Sequence, residues 1–376
     1  MDNQEVIESL VKSIETNDIQ MVANILSKGL MISNSHTASK LLKLSVEISN
    51  NVEIFKALSD AGLEFRNTQD SSEALIYACR RNTNLDMVKQ LVFSGIPIDQ
   101  RSKNDTCGTL LISAINKKNK EIIKYALSQK QNLNIQNVNR DTALIAAIET
   151  DQLAVVNKLI ALNADVNIKG YQGKTALMYA AHHINRNRNL HSRTILNKLI
   201  AAGASPNIKN DTGDTPLMFL IKEPQILKEC ITQMTDLELE DIYGQSALYL
   251  AAHNGFLEAV EVLINAGALP NPAIEKTKYN KLPLVAASGQ GHIDIVKFLI
   301  AHGAKVNLQE GRFGEDGDTA LTAATKQNRI EIIEYLLFVG VDISFKTKYS
   351  GTALDIATAR KFPEATEILT RYTTKN

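Results

Sequence analysis

The sequence predicts an all-α repeat solenoid, and three observations carry that prediction. One short phrase returns along the chain, as "DTALIAAI", "KTALMYAA", "DTPLMFLI", "QSALYLAA", "DTALTAAT" and "GTALDIAT". A second phrase follows each by about twenty residues; it reads "LIALNADVN", "LIAAGASPN", "LINAGALPN", "LIAHGAKVN" and "LLFVGVDIS". Its fifth position falls at Gly29, Gly62, Gly95, Lys130, Asn163, Gly203, Met234, Gly267, Gly303 and Gly340, at intervals of 33, 33, 35, 33, 40, 31, 33, 36 and 37 residues. The period near 33 is the third observation.

Each element of the unit follows from its residues. Leu and Ala recur three apart, as in Leu111/Ala114, Leu144/Ala147, Leu177/Ala180, Leu248/Ala251 and Leu321/Ala324. That spacing places both on one face of a first helix, and the small Ala admits a close neighbour. A polar break such as "ETDQ" or "HNG" then predicts a tight turn. A second apolar stripe, for example Val156, Leu159 and Ile160, again has helical period. The Gly or Asn that follows suits the left-handed residue that ends a helix, and an extended crossover leads to the next unit. Neither helix buries its stripe alone, so units must stack to share a core.

The repeating phrases resemble those of the ankyrin-repeat family, across residues 65–376 most clearly and across 1–64 through helix pattern and glycine spacing. The resemblance implies ankyrin repeats built as helix-turn-helix plus a β-hairpin finger, in about 10–11 units over the whole chain, 1–376. Residues 1–34 read as an N-terminal cap-like helix pair, 35–346 as repeats and 347–376 as a C-terminal cap. It also implies that first helices line a concave groove and hairpins project as fingers. The family's His after Thr-Pro-Leu is replaced here by Ile145, Met178, Met218, Tyr249, Val285, Thr322 and Asp355, so weaker bracing of the hairpins is expected. The unit after Gly203 departs furthest, with Leu220 for Ala, Pro224 where the second helix begins and Met234 for the terminal glycine. A local defect, with a mild bend, is expected there.

Composition narrows the function. Lys plus Arg and Asp plus Glu both number 41, which gives no global pull toward nucleic acid or anionic lipid. Cys79, Cys107 and Cys230 are far apart and lack metal-ligand spacing, as in a reducing compartment. The acid-bearing start "MDNQEVIESLVKSIETND" does not read as a signal peptide, and no run approaches eighteen apolar residues, so a soluble cytoplasmic monomer is expected. No catalytic phrase is present, and "GRFGEDGD" lacks the calcium-loop ladder. No enzyme activity, cofactor or metal is expected.

Binding is the better reading, because stacked units present a long variable surface. Tyr171, Tyr243, Tyr279 and Tyr349 fall at hairpin tips and Phe313 in a lengthened finger, where no core demands an aromatic ring. The groove rim is set by the residues after each Leu/Ala pair, including Arg80, Arg81, His182, His183 and His253. "HHINRNRNLHSR" invites a metal reading, but the repeat places His182 and His183 at a first-helix end and the remainder in a seven-residue insertion. "LIALNADVN" fits the Leu-x5-Asp-Val-Asn pattern that resembles an asparaginyl hydroxylase substrate, with Asn167 as acceptor; a hairpin hydrogen bond is the alternative role for that side chain. The leading expectation is a non-enzymatic scaffold for a protein partner, without nucleic acid or membrane. A second is a bacterial or viral effector delivered into a host cytosol, compatible with degenerate repeats rich in Asn, Ile and Lys. A cryptic enzyme is the third.

Overall fold

The computed structural model describes residues 3–28, 35–63, 69–82, 84–102, 108–185, 191–231, 235–272, 281–311, 317–348 and 350–375. These form two compact units, Met1–Tyr171 and Gln172–Asn376. The first holds five helix pairs: α1 (Asn3–Glu15) with α2 (Ile19–Leu26), α3 (Ser35–Lys43) with α4 (Val52–Asp60), α5 (Gln69–Asn82) with α6 (Leu85–Phe93), α7 (Leu110–Asn116) with α8 (Lys120–Ser128), and α9 (Ala143–Glu149) with α10 (Leu153–Ala161). A π-helical turn, Leu44–Ser49, prolongs α3. The second unit holds six pairs. They are α11 (Ala176–Asn185) with α12 (Ser192–Ala201), a 3-10 turn (Pro216–Phe219) with α13 (Pro224–Cys230), α14 (Ala247–Asn254) with α15 (Leu257–Asn265), α16 (Pro283–Gln290) with α17 (Ile293–Ala301), α18 (Ala320–Lys326) with α19 (Ile330–Phe338), and α20 (Ala353–Ala359) with α21 (Pro363–Lys375). The fold class is the all-α repeat solenoid that the periodicity predicts.

Five first helices, α7, α9, α14, α18 and α20, begin at a capping Thr or Ser. The hydroxyls of Thr109, Thr142, Ser246, Thr319 and Thr352 accept the N–H of Ile112, Ile145, Tyr249, Thr322 and Asp355 at 3.2–3.4 Å, satisfying a donor that has no intrahelical partner. The expected loss of bracing is reversed at two of the substituted positions. Thr322 Oγ1 accepts the Thr319 N–H at 2.8 Å, and the Asp355 carboxylate accepts both the N–H and the hydroxyl of Thr352 at 2.9 and 2.8 Å. Each closes a reciprocal capping box.

Three backbone positions per repeat are left-handed. The turn between helices uses Asn17, Asn50, Lys118, Asp151, Gly255, Gly291, Asn328 and Lys361. The exit from the second helix uses Gly62, Gly95, Asn163, Gly203, Gly267, Gly303 and Gly340, as the spacing predicts. Lys130 departs from that pattern, because α8 ends with Gln129 already extended at φ −93° and ψ 150°. The third position is the hairpin tip: Gly108, Arg140, Gly173, Gly213, Gly244 and Gly351.

Both stripes are buried. Leu111, Ala114, Leu144, Ala147, Leu248, Ala251, Leu321 and Ala324 are at most 2% exposed, as are Val156, Leu159, Val260 and Leu263. A fully buried Leu contributes about 2 kcal/mol relative to an exposed one, so helix pairs with several such residues gain most of their stability from stacking.

Polar contacts fix the register between repeats. The side chains of Asp99, Asn134, Asn207, Glu238, Asn271 and Asn307 accept the backbone N–H of Asn132, Asp165, Asp236, Leu269, Lys305 and Asp342 in the following repeat, each at 2.8–2.9 Å. On the opposite end, a residue of the turn between the two helices, the N-cap of the second helix at Gln152, His292 and Arg329 and the C-cap of the first at Arg360, reaches back to a carbonyl near the end of the preceding first helix. Gln152 donates to Ile115, His292 Nε2 to His253, Arg329 to Gly289 and Arg360 to Lys326, at 2.7–3.3 Å. These bonds tie the carbonyls of helix ends across repeats.

Among the described repeats, the first element is least helical where the sequence places a local defect. Its first helix shrinks to the 3-10 turn Pro216–Phe219, and α13 has only seven residues. Pro224 does not disrupt α13; it occupies its first turn, where a missing N–H costs nothing.

Candidate functional site

The hairpin tips are short turns held by an Asn or Asp. Asn137, Asn210 and Asp241 each accept, through Oδ1, two backbone N–H groups within the turn: those of Asn139 and Asp141, Thr212 and Asp214, and Tyr243 and Gln245. Their own N–H groups bond the carbonyls of Asp141, Asp214 and Gln245 at 3.0 Å. Among the described residues, pairing beyond this tip reaches only isolated antiparallel bridges, Glu240 with Ser246 and Thr347 with Gly351. The fingers are therefore turns stapled by side chains more than ladders of strands. Neighbouring fingers pack closely, since a Cβ added at Gly213 would lie 2.8 Å from Asp241 Cα.

On this rigid backbone the tips display apolar residues. Tyr171 is 55% exposed in the first unit and Tyr243 62% in the second. The Tyr171 N–H donates to Asp141 Oδ1 at 3.1 Å, which anchors its backbone to the preceding finger. Counted back from the capping hydroxyl, Tyr171 shares its register with Val138 and Ile242, which are 42% and 52% exposed, while Tyr243 stands one residue later. Sequence reading passed over Val138 and Ile242, because aliphatic residues do not stand out in a chain that is 44% hydrophobic. Tyr279, Phe313 and Tyr349 lie outside the described residues.

The first-helix ends are more occupied with one another than the sequence suggests. Arg80 is exposed near the end of α5, and the side chain of Arg81 lies outside the described residues. His182 is half-buried, its ring edge-on to Phe219 with centroids 6.2 Å apart and to His183 at 6.0 Å. His183 is buried, at 4% exposure, so it faces packed neighbours instead of the rim. His253 stacks on Tyr249 at 6.0 Å. Burial, then the neighbouring His292 and Lys281, hold His253 below the ordinary imidazole value. Residues 186–190 of the insertion lie outside the described residues.

Beside His253 runs a partly buried charged belt. Lys281 Nζ lies 3.3 Å from Glu310 Oε2 and 5.9 Å from the Tyr249 ring centroid, and Lys326 Nζ lies 2.7 Å from Asp318 Oδ1. Glu310 also accepts the Leu282 N–H at 2.9 Å. Burial outweighs the help from Lys281 and keeps the Glu310 carboxyl above its usual value.

Among the described residues, no cluster of three His, Cys, Asp or Glu is placed to hold a metal ion, and no helix is long and apolar enough to cross a membrane. Cys79 and Cys230 are buried, and burial pushes Cys230 up to about 12, far from a reactive thiolate. Asn167 is half-buried, with its N–H donated to Asp165 Oδ1 at 2.8 Å.

Fold and surface together define a helical-repeat protein with exposed apolar residues on its hairpin tips. A family model for ankyrin repeats matches residues 42–137, 75–170, 110–191, 186–274, 222–310 and 284–376, and the chain belongs to the ankyrin-repeat family. A putative ankyrin repeat protein of fowlpox virus (strain NVSL) is 25% identical over 281 residues, 74% of this chain and 43% of that one. The mouse B-cell lymphoma 3 protein homolog is 29% identical over 136 residues, 36% of this chain and 29% of its own length. Human NF-kappa-B inhibitor alpha is 34% identical over 94 residues, covering 24% and 30%. The chain thus spans under a third of the length of these last two relatives.

Proposed function

We propose that this chain is a non-enzymatic interaction scaffold that holds a protein partner on its hairpin tips and first-helix ends. The observation that carries the reading is the pair Ile242 and Tyr243, both more than half exposed on a turn whose backbone is fixed by Asp241. A rigid tip loses little freedom on binding, and an exposed tyrosine offers large contact area with a polar end. The family and the mammalian relatives support protein binding as the general role. Arg80 and Arg81 in the first unit and His182 and His253 in the second are further proposed contacts, and Tyr279, Phe313 and Tyr349 are proposed from their sequence positions. The scaffold acts as a monomer.

The test is a partner captured by the full chain and titrated against Tyr171→Ala and the Ile242→Ser/Tyr243→Ala pair. Loss of about tenfold or more in affinity supports the reading. A partner that binds all variants equally tightly removes the tips from the site.

A second reading is an effector that works on a host protein in the host cytosol. The viral relative, aligned over three quarters of this chain, is the observation favouring it. Parallel capture from eukaryotic and bacterial lysates separates the two, since an effector takes its partner from the eukaryotic lysate alone.

A further inference from the structure

We propose that the adjacent hairpins at residues 207–214 and 236–245 form a docking surface for a cationic peptide segment that interleaves apolar side chains with Lys or Arg. The inference rests on the scaffold reading and names the chemistry of the partner at one place on it.

Three exposed apolar residues lie along these hairpins: Ile242 at 52% and Tyr243 at 62% on the tip, and Leu269 at 49% where the next hairpin meets Glu238. Their backbones are tied to these two hairpins. The Ile242 N–H donates to the Thr212 carbonyl at 3.1 Å, the Tyr243 N–H to Asp241 Oδ1 at 2.8 Å, and the Leu269 N–H to Glu238 Oε1 at 2.9 Å. Apolar area on a fixed frame costs little ordering when covered.

Charge identifies what covers it. The two hairpins carry six carboxylates, Asp211, Asp214, Asp236, Glu238, Glu240 and Asp241. Within the same segments the cation is Lys209, whose Nζ is held by the Glu240 carbonyl at 2.7 Å. The chain as a whole is neutral, so this excess is local. The acids also crowd one another: burial first, and then neighbouring negative charge, raise Glu238, Glu240 and Asp241 above their usual values. Asp236 acts on Glu238, Asp241 and Glu238 act on Glu240, and Asp214 acts on Asp241, with Lys209 opposing them at Glu240 and Asp241 and leaving Glu238, among the described residues, without a cation of its own. A bound Lys or Arg relieves that repulsion, and the apolar residues between such cations cover Ile242, Tyr243 and Leu269. The sign of the charge disfavours nucleic acid and anionic lipid. A metal ion is disfavoured because no three acids among the described residues converge on one point.

The experiment uses the full chain and two fluorescent twelve-residue probes, one alternating Leu with Lys and Arg, the other with each Leu replaced by Ser. The decisive variant is Asp236→Asn/Glu238→Gln, because each amide keeps the oxygen that accepts the Glu238 or Leu269 N–H while losing its charge. A second variant, Ile242→Ser/Tyr243→Ala, removes the apolar tip and leaves the Asp241 turn in place. The Leu probe is expected to bind the wild type at least fivefold more tightly than the Ser probe. Each variant is expected to weaken the Leu probe by about fivefold, and raising salt from 50 to 300 mM is expected to weaken it comparably. Equal binding of both probes, or Leu-probe binding unchanged in both variants, overturns the proposal. A captured partner that binds Asp236→Asn/Glu238→Gln as it binds the wild type also overturns it and leaves the scaffold reading standing. Absence of any protein partner for the wild type defeats the scaffold reading itself and this proposal with it.

Discussion

Replacing Gly255 by Ala tests whether stability comes from the contacts that join repeats. Gly255 ends α14 at φ 79° and ψ 22°, in the left-handed region, with its N–H bonded to the Ala251 carbonyl. An Ala there loses about 1–2 kcal/mol to backbone strain alone. The added Cβ would also lie 2.6 Å from His292 Cε1 and 2.8 Å from Nδ1, distances that force the ring to move. That ring donates from Nε2 to the His253 carbonyl at 3.2 Å, and losing a net hydrogen bond costs about 1 kcal/mol. The total expected is about 2–3 kcal/mol. Gly303 is the internal control: φ is 90°, but nothing lies within 4 Å of an added Cβ, so Gly303→Ala should cost only the backbone part. The difference, about 1 kcal/mol, should vanish when Gly255→Ala is made in a His292→Ala background. Urea unfolding followed by circular dichroism measures all four, because the chain has no tryptophan to report by fluorescence. Equal costs for Gly255→Ala and Gly303→Ala would falsify the reasoning.

Three further outcomes are expected. Cys230, with its thiol pushed up to about 12, should resist iodoacetamide in the folded protein at pH 8 and react after unfolding, as read by peptide mass; labelling at the rate of a free thiol contradicts its burial. Glu310 is held above its usual 4.5 by burial, so the folded state binds its proton more tightly than the unfolded state does. Its contribution to stability therefore declines as pH rises from the usual value through the raised one. Glu310→Gln, which keeps an acceptor for the Leu282 N–H, should flatten that decline in thermal melts, and a slope identical to wild type refutes the assignment. Asn167, in its Leu-x5-Asp-Val-Asn context, is proposed as an asparaginyl hydroxylase acceptor: exposure to such an enzyme should add one oxygen to its peptide and none to an Asn167→Ala control.

Much of the fold was legible because its causes are periodic. Leu/Ala pairs, Thr or Ser caps and left-handed Gly or Asn recur once per unit, and Leu248, Ala251, Ser246 and Gly267 all take the expected roles. Two of the seven substituted positions, Asp355 and Thr322, regain a bond to the capping Thr by carboxylate and hydroxyl, which the repeated phrase alone does not show. The asparagine ladder was seen in part. A single repeat suggests that Asn271 bonds its own hairpin, whereas its Oδ1 accepts from Lys305 of the next unit. Pairing across repeats depends on stacking register, which no single phrase contains.

The candidate surface was less legible than the core. Tyr171 and Tyr243 could be placed at tips from the position of the capping hydroxyl alone. His183 could not, since adjacent helix residues point about 100° apart and only packing decides which one turns inward. Phe93 and Phe338, each 86% exposed as the last residue of a second helix, were hidden by the apolar stripes they end. The acidic hairpins were equally hidden, because a balanced total of 41 cations and 41 anions conceals where each sign collects.

Hydrogen exchange on the complex with a captured partner tests the central claim most directly. The account predicts slowed exchange at the tip segments 138–141, 210–214 and 241–245, with the second-helix ends at Phe93 and Phe338 unchanged. Protection confined to those helix ends, with the tips exchanging as in the free chain, would contradict it.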